Sequence, residues 1–490
     1  MEGRDDVVKP KFLVLALILG AAAWFALKDL PTGQGMVGAI FAFTVTLWAT
    51  EALPLTMTAL LGSAALILVG GLDEKKVFSS FGDPLLPLFI GSFILGKAME
   101  ETGLSERFAW QILKSKGATR SGSALLFALA IIGIAISLFV SNTATTAMLL
   151  PIGLSLLKTL GRQGRGSPYA VAVMLMLTWG SSVAVGVPVG TPPNLIGIGM
   201  IQEATGQRIS FGQWMVFAMP ITAVMALASW AVLSYPTRHD HPKMEATSAL
   251  AKDRFRELGP LRPSERGVMA VFAVALVLWM LPDLMGMAAN LGYGPKSWED
   301  VGKRLTPAVT ALVVAGLLLI IPAADTDSKR VLTWRQAASI DWSVIILFGG
   351  GIALGQAMFS SGLAKTLGEY AASATGANSL WSITALSIAG AIILSELASN
   401  TAAANVMVPI AIGLAQAQQV SPIPPALGAA IGASFGFMLP VSTAPNAIVY
   451  SSGLIEQSQM MKYGIIIDII GFAATFGLLR LILPMMGLAG

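Results

Sequence analysis

Apolar residues run along this chain in long blocks rather than in amphipathic stripes. A helix needs about 20 apolar residues to cross the hydrocarbon core of a bilayer, and shorter apolar arms suit re-entrant segments. On that scale the runs predict eleven spans, at about 12–28, 35–52, 54–72, 84–113, 168–204, 211–235, 264–282, 304–322, 341–372, 422–453 and 461–486. Two further apolar stretches, 122–158 and 379–419, are each interrupted near the midpoint by a polar tripeptide, which predicts a re-entrant hairpin with a polar tip. The expected fold class is an all-α polytopic membrane protein with two such hairpins. The first run follows the leader MEGRDDVVKPK with no small-x-small cleavage site, so it reads as a retained first helix rather than a signal peptide.

Composition agrees and narrows the choices. Of 490 residues, 55% are hydrophobic and 12% charged, about half the charged share of an average soluble domain. Disordered chains, nucleic-acid modules and disulfide scaffolds are thereby excluded. There are no cysteines, so thiolate metal sites and cysteine nucleophiles are absent. His239 and His241 share one polar loop, which argues against a zinc enzyme.

Charge sets the expected orientation. With the N-terminus inside, the cytoplasmic segments are 1–11, 107–120, 158–166, 236–266, 323–340 and 454–462, and they hold 21 of the 31 Lys and Arg residues. This satisfies the positive-inside rule and places the C-terminus outside. The stretch 236–266, with basic residues balanced by acids, reads as a solvated linker dividing the chain into halves.

The halves repeat. Gly-Lys-Ala-Met-x3-Gly-Leu at 96–104 returns as Gly-Gln-Ala-Met-x3-Gly-Leu at 355–363, offset by 259. Ser141-Asn142-Thr143-Ala144 returns as Ser399-Asn400-Thr401-Ala402, and Pro151 as Pro409, both offset by 258. Thr191-Pro192-Pro193-Asn194 returns as Thr443-Ala444-Pro445-Asn446, offset by 252. Matched features in one order indicate an internal duplication. Five spans separate equivalent helices, and an odd number inverts the second copy. The expected organisation is a first helix within 1–34, an inverted repeat at 35–235 (scaffold helices 35–120, transport part 121–235), a linker at 236–263, and a second repeat at 264–490 (scaffold 264–378, transport part 379–490). Inverted repeats with broken helices are the architecture of secondary transporters, with binding at the midplane.

Each hairpin tip has a broken span as its partner. Proline after an apolar run removes a backbone donor and disfavours helix before it, so the spans should unwind at Gly190–Asn194 and Ser442–Asn446. Unwound backbone at membrane depth must be buried or line a cavity. Its carbonyls can bind a cation, and N–H groups at the start of the next half-helix can bind an anion. Ser137 precedes Ser141, and Ser395 precedes Ser399, by one helical turn, which puts paired hydroxyls on one face. Each half thus offers a neutral oxygen cage beside a shared anion pocket.

Fixed positive charge is missing there. No Lys or Arg occurs between Arg165 and Arg208 or between Lys365 and Lys462. A buried anion would need co-bound cations for compensation, which is a physical reason for coupling. Glu396 lacks a counterpart, since Leu138 holds the equivalent position, and reads as a structural, paired acid. Glu51, Lys97 and Asp468 sit near predicted span ends and read as snorkelling side chains. The 23 methionines and 11 tryptophans read as lipid-facing filler and interface anchors.

The twin Ser-Asn-Thr motifs, the Thr-x-Pro-Asn breaks and Thr50-Glu51-Ala52-Leu53-Pro54 together resemble the divalent anion/sodium symporter family of dicarboxylate, citrate and sulfate carriers. The match runs from the second span to the last. It implies a homodimer in the bilayer, a static scaffold, and a transport domain that carries substrate and sodium by an elevator motion. Carried over by position, it implies a first sodium site at Ser137, Ser141, Asn142 and Gly190, and a second at Ser395, Ala398, Asn400 and Ser442, where Ala398 and Ser442 contribute backbone carbonyls. It also implies substrate contacts from Ser141, Asn142, Thr143, Thr191, Ser399, Asn400, Thr401 and Thr443. Sodium is then the coupling ion, with no other cofactor and no nucleic-acid partner. The expected activity is sodium-coupled symport of C4-dicarboxylates across the cell membrane; a sodium-independent exchanger or a citrate or sulfate carrier is the alternative. A membrane-embedded enzyme would need a nucleophile and base or a metal centre, and the motifs supply neither.

Overall fold

The computed structural model describes residues 8–30, 33–164, 167–239, 242, 244–291, 293, 295 and 304–489. The leader through residue 7, Arg165, His241 and Lys243 lie outside the described residues. Among the described residues the secondary structure is helical, with one isolated bridge between Pro322 and Arg330.

In the first half the helices are α1 (Pro10–Leu27), α2 (Gln34–Thr50), α3 (Leu55–Leu68), α4 (Glu74–Ser79), α5 (Leu85–Glu101), α6 (Leu104–Leu113), α7 (Gly122–Ser137), α8 (Asn142–Thr159), α9 (Pro168–Ser182), α10 (Pro192–Thr205) and α11 (Phe211–Ser234). After α12 (Glu245–Glu257) come α13 (Pro263–Asn290), α14 (Pro307–Ile320), α15 (Trp334–Ala337), α16 (Trp342–Ser361), α17 (Leu363–Thr375), α18 (Leu380–Leu397), α19 (Asn400–Ala417), α20 (Ile423–Gly432), α21 (Ala444–Tyr450) and α22 (Gln457–Met485). Seven helical stretches among the described residues are long and apolar enough to cross a membrane: Pro10–Leu27, Glu74–Glu101, Phe211–Ser234, Pro263–Ala289, Trp342–Ser361, Leu380–Leu397 and Gln457–Met485.

Two runs read as single spans are broken. The run 84–113 divides at Gly103 (φ 72°) into α5 and α6, and the run 341–372 divides at Gly362 (φ 79°) into α16 and α17. Left-handed backbone suits glycine, and here it ends one helix and starts another. Helix α6 is amphipathic: Ala109, Trp110 and Leu113 are buried while Glu106 and Phe108 face outward.

The stretch 236–266 is not a solvated coil. Its helix α12 packs on α6. Arg107 of α6, itself buried, donates hydrogen bonds to the carbonyls of Leu258 (2.9 Å), Gly259 (2.9 Å) and Pro260 (3.2 Å) at the C-terminal end of α12. It also pairs with buried Glu265 at 2.9 Å. A guanidinium at a helix C-terminus satisfies carbonyls that the helix leaves unpaired.

The halves interlock reciprocally. Helix α3 packs on α16 of the other half, and α14 packs on α5. In the same way α10 packs on α19, and α21 packs on α8. Each broken span therefore lies against a hairpin from the opposite half, which is what gathers the motifs.

Four tryptophans, Trp48, Trp179, Trp214 and Trp279, are fully buried rather than at an interface. Trp48 donates to the Leu55 carbonyl (3.3 Å), Trp214 to that of Val185 (3.0 Å) and Trp279 to that of Pro307 (3.1 Å). The anchor reading fails for them because an indole N–H suits a buried unpaired carbonyl as well as it suits an interface.

Candidate functional site

The hairpin tips are helix starts. Ser141 caps α8 by accepting from the Ala144 N–H at 3.2 Å, and Ser399 caps α19 by accepting from the Ala402 N–H at 3.3 Å. Such caps contribute about 1 kcal/mol each. They also leave the first-turn N–H groups of both helices directed outward beside the Asn and Thr side chains. Between the arms, Ser137 donates to Asn142 Oδ1 (2.7 Å) and Ser395 donates to Asn400 Oδ1 (2.9 Å). The sequence spacing predicted this pairing, and both halves make it.

The broken spans are held open by their own asparagines. Asn194 Nδ2 donates to the carbonyls of Val185 (3.1 Å) and Val187 (2.9 Å); Asn446 Nδ2 donates to those of Gly436 (2.8 Å) and Leu439 (3.0 Å). Both asparagines are fully buried. Their role here is to satisfy carbonyls that the unwound backbone would otherwise strand. The clamps differ in one respect. Asn446 Oδ1 accepts from Thr178 at 2.7 Å, joining the halves, whereas Asn194 Oδ1 has no hydrogen-bond partner. At the offset of the second break, Thr178 corresponds to Ala430, so the matching donor is missing from the sequence.

The residues of the first proposed cage converge. A Cβ placed on Gly190 would lie 2.4 Å from the Ala184 carbonyl oxygen and 3.5 Å from that of Leu138 in the hairpin tip, so no side chain fits between break and tip. In the second cage, a Cβ on Gly436 would lie 3.1 Å from the Ser395 carbonyl oxygen, 3.3 Å from its Oγ and 3.4 Å from Ser442 Cβ. Ser395 Oγ also donates to the Ala433 carbonyl (2.7 Å), and Ser442 Oγ to those of Leu439 (2.7 Å) and Gly436 (3.0 Å). Ala398 is in extended backbone between the two arms of its hairpin.

Both tips and both breaks open on one cavity of about 590 Å³. Its lining includes Ser141, Asn142, Thr143, Thr191, Ser399, Asn400, Thr401 and Thr443, together with Gly190 and Ser442 from the two cages. Ser137, Ser395 and Ala398 lie behind this lining and are buried. The anion donors are unequal, however. Pro192 and Pro193 occupy the first turn of α10 and have no N–H, so the first break cannot present the backbone donors that the sequence argument assigned to it. Ala444 retains the N–H that Pro192 lacks.

Charged side chains reach the cavity from the scaffold side. Glu51, Lys97, Glu100 and Asp341 line it. Lys97 does not snorkel to a lipid interface; its ammonium pairs with Glu101 (2.9 Å) and Glu100 (3.3 Å). Its charge is thus matched on its own helix. Asp468 does not snorkel either, being buried within α22. Glu396 is paired as expected, but with backbone rather than a base: it accepts from the N–H groups of Met438 (2.9 Å) and Leu439 (3.2 Å). Position in the sequence could not reveal these placements, because each depends on burial by a distant helix.

Among solved structures, the chain resembles the Alcanivorax borkumensis YdaH transporter, with TM-score 0.55, 16% identity and 98% of both chains covered. It also resembles Neisseria gonorrhoeae MtrF, with TM-score 0.54, 14% identity, 95% of this chain and 97% of that one. These likenesses concern the fold. Sequence relatives include the sodium-dependent dicarboxylate transporter SdcS of Staphylococcus saprophyticus, 31% identical over 488 residues and covering 98% of this chain and 91% of that protein. The SdcS of Staphylococcus aureus strain MRSA252 is 33% identical over 488 residues, covering 98% and 90%. The profile of the sodium:sulfate symporter transmembrane region matches residues 8–487. The chain is a multi-pass membrane transporter, not an enzyme, and it belongs to the sodium:sulfate symporter family.

Proposed function

We propose that this protein is a sodium-coupled symporter of C4-dicarboxylates such as succinate, malate and fumarate. The observation that carries the reading is the convergence of both Ser-Asn-Thr tips and both breaks on one cavity whose lining cation, Lys97, is already matched by two carboxylates. A dianion entering it meets hydroxyls, amides and the N-termini of α8 and α19, and sodium in the flanking cages supplies the remaining positive charge. The names of the SdcS relatives support both sodium and dicarboxylate.

In this reading Ser137, Ser141, Asn142 and Gly190 hold one sodium ion, and Ser395, Ala398, Asn400 and Ser442 hold the other. Ser141, Asn142, Thr143, Thr191, Ser399, Asn400, Thr401 and Thr443 receive the carboxylates. Asn142 and Asn400 belong to both sets, so each site's occupancy favours the other's. The scaffold contains 35–120 and 264–378, and the transport parts 121–235 and 379–490 move against it as an elevator in a homodimer. Glu51 and Asp341 adjoin segments that the charge distribution assigns to the cytoplasm, so the cavity described here opens inward, with the N-terminus inside and the C-terminus outside.

The test is uptake of labelled succinate, citrate and sulfate into proteoliposomes with and without a sodium gradient. Succinate should accumulate only with inward-directed sodium, and citrate and sulfate should enter more slowly. Equal succinate uptake in choline would refute the coupling. Preferential citrate or sulfate uptake would refute the substrate class.

A further inference from the structure

Behind the second break lie two carboxylates that neither cage employs. Glu396 on α18 and Asp468 on α22 are 2% and 5% exposed. Glu396 accepts from the backbone of Met438 and Leu439. Asp468 approaches the same segment from the other side. One turn before it, a Cβ on Gly464 would fall 2.5 Å from the Phe437 carbonyl oxygen and 2.6 Å from Met438 Cα, so α22 lies directly on this backbone. The two carboxylates are neighbours there. Neither Asp468 oxygen has a hydrogen-bond partner.

No base answers them. Helix α22 packs on α11, α18 and α20. Those three helices and the break 433–443 contain no Lys, Arg or His, and the cations of α22 itself, Lys462 and Arg480, stand toward its two ends. Adjacent buried like charges are strongly unfavourable unless something positive lies between them. A shared proton would draw the pair into one short hydrogen bond, and Asp468 makes none. A hard cation instead separates two carboxylates and takes oxygen from each.

We propose that Glu396 and Asp468 form a third cation site, for sodium, on the far side of the second break from the substrate cavity. The proposal rests on the sodium-coupled reading above. An ion held there neutralises the carboxylate that anchors Met438 and Leu439, and so fixes the backbone leading to Ser442 and Thr443. With three sodium ions per dianion the cycle carries one net positive charge inward; with two it carries none.

The experiment compares wild type with Asp468→Asn, which keeps the shape and removes a charge. Succinate uptake into proteoliposomes is measured against sodium concentration and against imposed potassium diffusion potentials. For wild type, uptake should rise with inside-negative potential; for Asp468→Asn, that dependence should vanish and the sodium Hill coefficient fall by about one. An unchanged Hill coefficient with unchanged potential dependence would overturn the third site. A melting curve keeps the proposal testable if the variant does not transport. In sodium-free choline buffer Asp468→Asn should melt higher than wild type, since an uncompensated charge is gone, and sodium should raise its melting temperature less. A lower melting temperature in choline would mean that the pair needs no ion, and would also overturn it. Failure of the underlying reading looks different: wild-type uptake would then be independent of sodium altogether.

Discussion

Asn142 and Asn400 each accept a hydrogen bond from a serine one turn back, and each also faces the shared cavity. Replacing either with alanine should abolish or severely weaken uptake. Because neither clamps a break, the thermal unfolding midpoint of each variant should stay within a few degrees of wild type. A folded Asn142→Ala or Asn400→Ala protein with normal uptake would remove that tripeptide from the site. Position 444 carries a finer prediction. Proline there would delete the N–H that distinguishes the second break from the first and would stiffen its backbone. Ala444→Pro should raise the succinate concentration for half-maximal uptake by about tenfold, corresponding to loss of one charge-assisted hydrogen bond, with a much smaller change for sodium. Parallel uptake titrations decide it; equal shifts would take Ala444 out of the substrate wall.

Among elements, the packing of α12 has a measurable consequence. Arg107 ties its C-terminal carbonyls to α6 and also neutralises buried Glu265. Removing one partner of a buried ion pair costs about 3–5 kcal/mol. In Arg107→Ala, amide hydrogen exchange across α12 should accelerate by roughly a hundredfold or more, while exchange in α19 and α20 remains slow. Unchanged protection of α12 would show that its apolar contacts suffice. The same helix marks the boundary of what a linear reading can find. Hairpins and breaks were legible because Ser-Asn-Thr and Pro-Asn carry local backbone instructions, and the repeat gave each an internal control. The linker helix, the buried tryptophans and Asp468 were not. Their character comes from segments far away in sequence: Arg107 for α12, the Val185 carbonyl for Trp214, and the Phe437–Leu439 backbone for Asp468. Short polar or apolar context around each of them is the same whether a partner arrives or not.

For the molecule as a whole, the elevator reading requires the hairpin tips to slide past the scaffold. Phe139 in the first tip stacks edge-on against Phe272 of α13, with centroids 4.5 Å apart. The natural chain has no cysteine, so a Phe139→Cys/Phe272→Cys pair has no competing thiols. Oxidation of that pair should reduce uptake to background, and a reductant should restore it. A cross-linked protein, verified by gel shift, that still transports would argue that these segments do not move relative to each other.

The reciprocal packing of α3 on α16 and α14 on α5 has a further consequence, for biosynthesis. Helix α3 leaves the ribosome long before its partner exists, and at ordinary elongation rates the wait is on the order of tens of seconds. During that interval the first half has its hairpin and its break but no opposite half to cover them. Polar tips and unwound carbonyls then reside in the bilayer with only lipid, water or the insertion machinery as company. Completion of the second half is therefore a folding event for the first, and a nascent chain halted before α16 should be recognised by membrane quality control as unfinished rather than accumulate as a stable half-carrier.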